Sequence, residues 1–465
     1  MKKLFLVVSI LLGSSLVLAA CAPHTFSPPY QVHATASDHM TTPAIAIDAA
    51  GVSHIAGVVG SNVVYYRTVF GPALKTVKMT LPGSGANFVQ FQPDIAVTDD
   101  GTAYMVWFEQ WGTTDRSACY QVFPAVEPAG GYQTTCTLLL PGYDSVSNLM
   151  IVAKGNRVYA LFDRINPFGS VDALIYKDLV YPSVTGFIYS YTNAAASGII
   201  HDWDAGIDAN GHLHVAILET VVTGLGPSSD HLTYRSNRST YSDGTMEQHW
   251  FMNANAVDTT AGTSLAFTTT SSGEFVNVAG VIKSGGMDEI RIFSCTTGFC
   301  TNQNTSIGAL PTSWTGVPAI SAVEIASRGH RLALAYTGND GNLSFEQVYS
   351  VNAGFGSSNA IEISGSQYTY KADLSKAVLT TRPGSDYLGN LEVFSWAESY
   401  NNSVQYYSED GYNRVKVFDR TCPTASPIGG DVAAHGTYYA GVWEACGETW
   451  HSAWADQISL PIVTK

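Results

Sequence analysis

The chain has 465 residues, a formal net charge of -15 and only 13% charged residues. A polyanion of this kind is a poor partner for nucleic acid or for an anionic bilayer face, so proteins that work through a basic surface are excluded. The 43 glycines and 25 tyrosines suit a fold with many tight turns and half-buried strands.

The first twenty residues have the pattern of a secretory signal. Two lysines, Lys2 and Lys3, precede an apolar run over residues 4–12, and small residues end the segment. Such a segment is removed from the mature protein. Its last residues, Leu18 to Cys21, resemble the bacterial lipobox, in which the cysteine is diacylated and becomes the new N-terminus. The alternative is a plain signal peptide with an incidental cysteine.

The lipobox resemblance implies a lipoprotein with a palmitate-type lipid anchor on Cys21. The anchor would hold the chain at a membrane surface of the bacterial cell envelope, outside the cytoplasm. Removing residues 1–20 takes away two lysines and no acids, so the formal charge moves from -15 to -17. The Pro-rich stretch 22–29 is too short to fold alone, and we expect residues 21–40 to be a tether.

A repeated unit fills the rest of the chain. In each copy a short apolar strand runs into an Asx/Gly turn and a second apolar strand, as in Pro43–Ala56 and Pro93–Trp107. The turns lie at Gly51, Gly101, Gly155, Gly211, Gly273, Gly329, near Gly389 and at Gly436. A period of about 50 residues with four short strands is typical of a β-propeller. We predict an all-β fold, a single β-propeller over residues 41–465 with eight four-stranded blades; seven blades are the alternative.

Six cysteines remain once Cys21 is set aside, an even number for an oxidising compartment. Three pairs each fall within one repeat unit, at a hairpin or on a shared face. The predicted disulfides are therefore Cys119–Cys136, Cys295–Cys300 and Cys422–Cys446. The alternative is that some of these cysteines are free buried thiols. No Cys/His cluster has the spacing of a zinc site.

Several units carry a family resemblance. Pro93–Trp107 and Trp203–Ala216, each followed by a Tyr-rich strand, are similar to the BNR/sialidase-like propeller repeats of secreted bacterial proteins. The resemblance covers roughly residues 40–460 and implies a propeller fold. No unit has the Ser-x-Asp-x-Gly-x-Thr-Trp box of true sialidases, and Gly447–Trp450 is only a fragment of one. The resemblance therefore implies no catalytic residue in this chain.

Acids and aromatic residues coincide where propeller connections enter the first strand of a blade or leave the second. These connections gather on one face around the channel mouth. Exposed rings stack on the apolar faces of sugars while carboxylates accept hydroxyl hydrogens, so the pattern predicts a ligand site. The alternative is a packing residue followed by a solvated turn. The candidate ligand-binding residues are Trp107, Glu109, Trp111, Asp163, Arg164, His201, Asp202, Asp204, Trp396 and Glu398.

The densest group of candidates is His201, Asp202 and Asp204. Two carboxylates and an imidazole could ligate a divalent cation, with Ca²⁺ favoured by hard oxygen ligands, or the acids could serve as general acid and base. The alternative is that these side chains only form local hydrogen bonds where a blade begins. No other cofactor is expected. His212 and His214 resemble a metal pair, but the position of His214 holds other residue types in other units, which indicates packing.

Two functions remain open. The first is a non-catalytic, lipid-anchored propeller that binds a glycan or a surface protein on its channel-mouth face. The second is an extracellular glycoside hydrolase or lyase that uses the rim carboxylates. No nucleophile elbow, His-Glu-x-x-His motif or phosphate loop is present, which favours the first. A purely structural role in the envelope is a third alternative.

Overall fold

Short strands and turns alternate throughout the described part of the chain. Within the residues it describes, the computed structural model contains 32 strands and no helix. It describes residues 30–32, 40–68, 75–78, 88–111, 115–139, 146–165, 171–182, 184–190, 196–223, 228–240, 245–253, 257–271, 273–284, 287–298, 306–309, 320–328, 331–338, 343–349, 356–362, 371–381, 392–400, 403–409, 414–421, 429–435 and 438–455. The all-β prediction is confirmed.

The strands form eight antiparallel sheets of four strands each. Sheet one contains β2 (Met40–Ile47), β3 (Ser53–Val59), β4 (Asn62–Thr68) and β5 (Lys75–Lys78). Sheet two contains β6 (Phe88–Val97), β7 (Ala103–Trp111), β8 (Asp115–Phe123) and β9 (Thr137–Leu138). Sheet three contains β10 (Val146–Lys154), β11 (Arg157–Ile165), β12 (Val171–Asp178) and β13 (Thr185–Ser190).

The next three sheets repeat this order. Sheet four contains β14 (Ala196–Ile207), β15 (Leu213–Thr223), β16 (Ser229–Thr240) and β17 (Met246–Asn253). Sheet five contains β18 (Ser264–Thr270), β19 (Gly273–Ser284), β20 (Met287–Thr296) and β21 (Ser306–Ala309). Sheet six contains β22 (Ile320–Arg328), β23 (Arg331–Gly338), β24 (Leu343–Tyr349) and β25 (Gly356–Glu362).

Sheet seven repeats this order, and sheet eight combines strands from both ends of the chain. Sheet seven contains β26 (Lys371–Thr381), β27 (Glu392–Tyr400), β28 (Ser403–Glu409) and β29 (Arg414–Thr421). Sheet eight contains β30 (Gly429–His435), β31 (Tyr438–Ala445), β32 (Glu448–Ala455) and, next to β32, the N-terminal strand β1 (Tyr30–Gln31). Residues 30–31 of the predicted tether therefore belong to a sheet.

Asp side chains close the tight turns between the first two strands of sheets one and four. Asp48 Oδ1 accepts hydrogen bonds from the backbone N–H groups of Ala50 (2.9 Å) and Val52 (2.8 Å). In this turn Gly51 has a φ of 79°, which suits a residue without Cβ. The turn at Asp208 repeats the arrangement, so turn chemistry explains the recurring Asx/Gly signal.

The core lies between neighbouring sheets because both faces of the second strands are apolar. In β7, Met105 and Trp107 share one face and pack with sheet one, whereas Val106 and Phe108 point the other way and pack with sheet three. Alternation at every second residue is the geometry of a strand. Among the described side chains, sheets one to five each bury apolar residues against the sheet before and the sheet after in this way.

The first strands of successive sheets contact one another, and β2 of sheet one also contacts β30 and β31 of sheet eight. The Asp431 carboxylate on β30 accepts the backbone N–H of Ile45 on β2 at 2.8 Å. Thr449 on β32 bonds both the N–H and the carbonyl of Met40 through its hydroxyl, at 3.2 and 2.9 Å. These contacts hold the two ends of the chain together.

One predicted disulfide is confirmed in the described residues: Cys119 on β8 is bonded to Cys136. Cys295 and Cys446 are each in a disulfide as well. Their predicted partners, Cys300 and Cys422, lie outside the described residues, as does Cys21. Among the described residues no helix is long and apolar enough to cross a membrane.

Candidate functional site

The first strands of sheets one to four each contain a bulge. The ladder between the first and second strand shifts register at Thr41/Ala44, Phe91/Asp94, Ser147/Leu149 and Ile200/Asp202. Three bulge residues have left-handed backbone conformations although they are not glycine: Thr42 (φ 47°), Gln92 (φ 48°) and Asn148 (φ 46°). Such conformations are uncommon, and bulges and local strain concentrate at functional sites.

These bulges border one cavity of about 520 Å³. It lies beside the bulged parts of the first strands of sheets one to four. It is lined by Thr42, Pro43, Gln92, Pro93, Asp94, Asn148, Leu149, Met150, His201, Asp202 and Trp203. Four of the lining side chains, those of Thr42, Gln92, Asn148 and His201, are exposed to solvent. The structure thus brings His201 and Asp202 together with eight residues from sheets one to three.

His201 is held by a chain of hydrogen bonds. Its Nε2 lies 2.7 Å from Thr220 Oγ1, and the Thr220 hydroxyl donates to Asp230 Oδ1 at 2.6 Å. Because the only hydroxyl hydrogen of Thr220 goes to the carboxylate, Nε2 of His201 must be the donor to Thr220. In the neutral ring this leaves Nδ1 as a hydrogen-bond acceptor.

Two carboxyl groups line the same cavity. The Asp94 carboxylate accepts the N–H of Ile95 at 2.8 Å and that of Ile151, on sheet three, at 2.9 Å. Burial raises the pKa of Asp94 to about 6, although both N–H groups oppose the shift. Asp202 accepts the N–H of Thr263 at 2.8 Å, and burial raises the pKa of this carboxyl as well.

Asp163 lies behind the cavity wall and is fully buried. Asn148 Nδ2 donates to Asp163 Oδ2 at 2.6 Å. Burial raises the pKa of Asp163 to about 7; the Asn148 amide and the Trp203 indole act against the shift, and the charge of Asp202 adds to it. Asp163 was predicted as a rim residue, and the structure connects it to the cavity through Asn148.

The polar lining is rich in hydrogen-bond acceptors. Asp94 and Asp202 contribute carboxylate oxygens, His201 contributes Nδ1, and Asn148 contributes its amide oxygen because Nδ2 is bonded to Asp163. No lysine or arginine is among the lining residues that the structure describes. The cavity is therefore suited to a ligand that donates hydrogen bonds and carries no negative charge.

The prediction that Trp107 presents an exposed ring to a ligand is wrong. Its indole is completely buried between sheets one and two, and its Nε1 donates to Glu109 Oε1 at 3.2 Å. Glu109 is buried too, and it accepts a second hydrogen bond from Gln90 Nε2 at 3.0 Å. Gln90 in turn accepts the N–H of Val63 at 2.7 Å. Trp107 and Glu109, which were predicted to bind a ligand, instead connect sheets one and two. The alternative prediction, that the aromatic residue packs in the core, therefore holds for Trp107.

Asp204 is also structural. Its carboxylate accepts the N–H of Leu265 on sheet five at 2.6 Å and the N–H of Ala205, the next residue in the chain, at 2.8 Å. Asp94 and Asp431 bond in the same way to the following sheet. Burial raises the pKa of Asp204 to about 6. The ligand atoms of His201, Asp202 and Asp204 do not lie within 4.8 Å of one another, so the possible cation ligands are not brought together in these described residues.

Arg164, another predicted binding residue, is not among the lining residues of the cavity. Arg164 lies with its guanidinium carbon 6.0 Å from the centre of the Phe187 ring. The side chains of Trp111, Trp396 and Glu398 lie outside the described part of the chain. His214 is buried, its Nδ1 is hydrogen-bonded to the Tyr234 hydroxyl and its Nε2 lies 3.2 Å from Asp208 Oδ2, in agreement with its prediction as a packing residue.

Sequence reasoning did not single out Thr42, Asn148 or Asp94 as binding residues. A signal was present in sheets one and two, because Thr42-Pro43 and Gln92-Pro93 stand at the same point of two repeat units. Proline inside a strand pattern marks a bulge or an edge. Asn148 is not followed by a proline, and only the register shift between β10 and β11 reveals the bulge at this residue.

No family model matches the chain, and no curated protein matches it. Similar solved structures include oligopeptidase B from Trypanosoma brucei, at 13% identity and a TM-score of 0.47 over 89% of this chain and 54% of that one. A mutant sialidase from Trypanosoma rangeli has 11% identity and a TM-score of 0.36 over 78% of this chain and 54% of its own. A β-propeller domain from Myceliophteria thermophila has 10% identity and a TM-score of 0.40 over 92% of this chain and 99% of that one. The chain spans about half the length of the first two structures.

Proposed function

We propose that the protein is an eight-bladed β-propeller, held at the bacterial cell surface by a lipid on Cys21, which binds a neutral glycan in the channel-mouth cavity. Eight four-stranded sheets, contacts between successive first strands and the contacts of β2 with β30 support eight blades arranged as a ring. Pairing of β1 with β32 supports a ring closed through a shared last blade.

The observation that carries the binding proposal is the composition of the cavity lining. Six polar side chains from sheets one to four line one space of about 520 Å³, a volume within the range of small-ligand sites. Sugar hydroxyls donate hydrogen bonds to carboxylates, amide oxygens and imidazole nitrogens. The lack of a cation in the described lining disfavours sialic acids and uronic acids, whose carboxylates need one.

The alternative is a glycoside hydrolase or lyase that uses the cavity acids. The pKa of Asp94, raised to about 6, favours this reading because a general acid must hold its proton near neutral pH. Both Asp94 oxygens are bonded to backbone N–H groups, which favours a positioning role over proton transfer. A surface protein that presents hydroxyl and amide donors is the other partner for the same face.

The binding proposal can be tested on the chain with Cys21 replaced by Ser, as a soluble form. We expect binding to neutral oligosaccharides in a glycan-array screen, with no binding to sialylated or uronate-containing ones. A parallel assay for released reducing ends or unsaturated sugars should stay at background. Preference for anionic glycans would contradict the assigned ligand class, and sugar release that disappears in Asp94→Asn would replace the binding role with the enzymatic one.

The anchor is tested separately by cell fractionation. The parent chain should sediment with membranes, whereas Cys21→Ser should be recovered in the soluble fraction. Equal membrane association of the two proteins would overturn the lipid anchor without affecting the cavity proposal.

A further inference from the structure

Asn148 connects the cavity to a buried acid. Its side chain lines the cavity, its backbone is left-handed at a φ of 46°, and its amide nitrogen bonds Asp163 Oδ2 at 2.6 Å. A primary amide has one acceptor end and one donor end. Since the donor end is directed at Asp163, the acceptor end is the one available to a ligand.

Asp163 is enclosed by three sheet strands. In register it faces Ser147 on β10 and Leu174 on β12, both uncharged. The other groups that act on it are the Asn148 amide, the Trp203 indole and the charge of Asp202 on β14. Arg164, its neighbour on β11, points to the opposite face of the strand. Asp202 is thus the one charged group among the described residues that face this carboxyl.

We propose that Asp163 is a positioning residue that decides whether Asn148 presents its amide oxygen or its amide nitrogen to the cavity. This inference rests on the proposed function, because it concerns the ligand class of the same site. Ionised Asp163 only accepts hydrogen bonds, so it holds the Asn148 nitrogen and leaves the oxygen facing the ligand. Protonated Asp163 donates its hydroxyl hydrogen to the Asn148 oxygen, and the amide turns its nitrogen towards the cavity.

The change of state falls in the physiological range, because burial raises the pKa of Asp163 to about 7. Above that pH the cavity offers an acceptor at Asn148 and favours ligands rich in hydroxyl donors. Below it the cavity offers a donor there, and ligands with acetamido carbonyls gain a partner. The device would make the choice between plain and N-acetylated neutral sugars depend on pH.

The first test observes the amide itself and needs no ligand. Mature chain labelled with ¹⁵N-asparagine is titrated from pH 5 to 9, and the Asn148 side-chain signals are identified by their loss in Asn148→Ser. We expect these signals to shift with a midpoint near 7 in the parent and in Asp100→Asn, a control at an exposed turn. In Asp163→Asn the shift should be absent. A parent signal that does not titrate, or one that titrates equally in Asp163→Asn, overturns the proposal.

A second variant keeps the test decisive if Asp163→Asn does not fold. Asn148→Ala retains Asp163 but removes a donor to its carboxylate, so the pKa of Asp163 followed by ¹³C-carboxyl NMR should rise. An unchanged pKa would break the link between the two residues. For binding, the affinity ratio of chitotriose to cellotriose should increase about fivefold from pH 8 to pH 6 in the parent and stay constant in Asn148→Ala. If neither sugar binds while the NMR shift is present, the glycan proposal fails and the Asp163 inference stands.

Discussion

The two ends of sheet four carry similar residues and use them differently. At the turn end, defined by Asp208, His214 and Tyr234, the Tyr234 hydroxyl bonds His214 Nδ1 and the opposite ring nitrogen lies 3.2 Å from Asp208 Oδ2. At the mouth end, defined by His201 and Asp202, the imidazole is exposed and the carboxyl lines a cavity.

Sheet one repeats the turn-end arrangement, with Tyr65 bonded to His54 at 2.7 Å and His54 to Asp48 at 3.3 Å. A buried Tyr–His–Asp chain that recurs in two sheets serves the fold. The mouth end differs between sheets in residue type and converges on one space. An acid beside a histidine therefore indicates function only where the structure leaves one of its polar atoms accessible.

The largest expected effect comes from Trp107, which lies in the core although it was predicted for the binding face. Trp107→Ala should lower the free energy of unfolding by about 3–5 kcal/mol, because it removes a fully buried ring and leaves a cavity. Tyr181→Ala, at a half-exposed aromatic residue, is the control and should cost less than about 1 kcal/mol. Urea denaturation measures both. Equal, small effects would mean that Trp107 is not packed between sheets one and two.

The second-largest expected effect distinguishes the two histidines of sheet four, His214 and His201. His214→Ala should destabilise the protein by about 2–4 kcal/mol, because it opens a cavity in the core and removes the buried hydrogen bond with Tyr234 and the contact with Asp208. His201→Ala, on the exposed mouth end, should change stability by less than about 0.5 kcal/mol. Thermal and urea unfolding of the two variants decide the matter. The reverse order of stabilities would invert the assignment of the two ends.

The two ends should also respond to pH with opposite signs. Burial lowers the pKa of His214, so the unfolded chain takes up its proton first and the stability from this end is lost as the pH falls through about 6.5. Burial raises the pKa of Asp94 to about 6, so its contribution is full below about 4 and lost as the pH rises through 6.

Unfolding measured from pH 4 to 7 can separate these terms. The stability difference between the parent and Asp94→Asn should fall by about 2 kcal/mol over this range, whereas the difference between the parent and His214→Gln should increase. Two differences that move in the same direction would contradict the assigned environments.

The smallest effect is expected at an exposed ion pair near the turn end. Lys154 Nζ lies 3.0 Å from Glu274 Oε1, with the lysine side chain 44% exposed. Lys154→Ala should cost no more than about 0.5 kcal/mol, and less in 1 M NaCl, because solvent and salt screen such pairs. A loss above about 2 kcal/mol would show that this contact between sheets three and five matters as much as the buried chains.

The fold was largely predictable because its signals are local. Turn residues such as Asp48 and Gly51, and the alternation of apolar residues, recur with each sheet. The pairing of β1 with β32 was not predictable, since two residues carry no pattern and their partner is more than 400 positions away. The burial of Trp107 was readable in principle, because Ala103, Met105 and Trp107 occupy one strand face at alternate positions.

The candidate site was predictable only in part. His201 and Asp202 were found because acids and aromatic residues cluster there in the sequence. Gln92 and Asn148 reach the cavity through bulges that shift the ladder by one residue, and a one-residue shift reverses which face a side chain occupies. Asp163 acts on the cavity through Asn148, a relation between two strands that no single segment encodes.

The central claim is that the mouth end, and not the turn end, forms the ligand site. It is tested most directly by calorimetric titration of the neutral oligosaccharide that binds best in the array screen, with Gln92→Ala, His201→Ala and the control Tyr181→Ala compared with the parent. Loss of one hydrogen-bonding side chain should weaken binding by about tenfold in the first two variants and leave the control unchanged. Unchanged affinity in Gln92→Ala and His201→Ala, with both proteins folded, would contradict the claim.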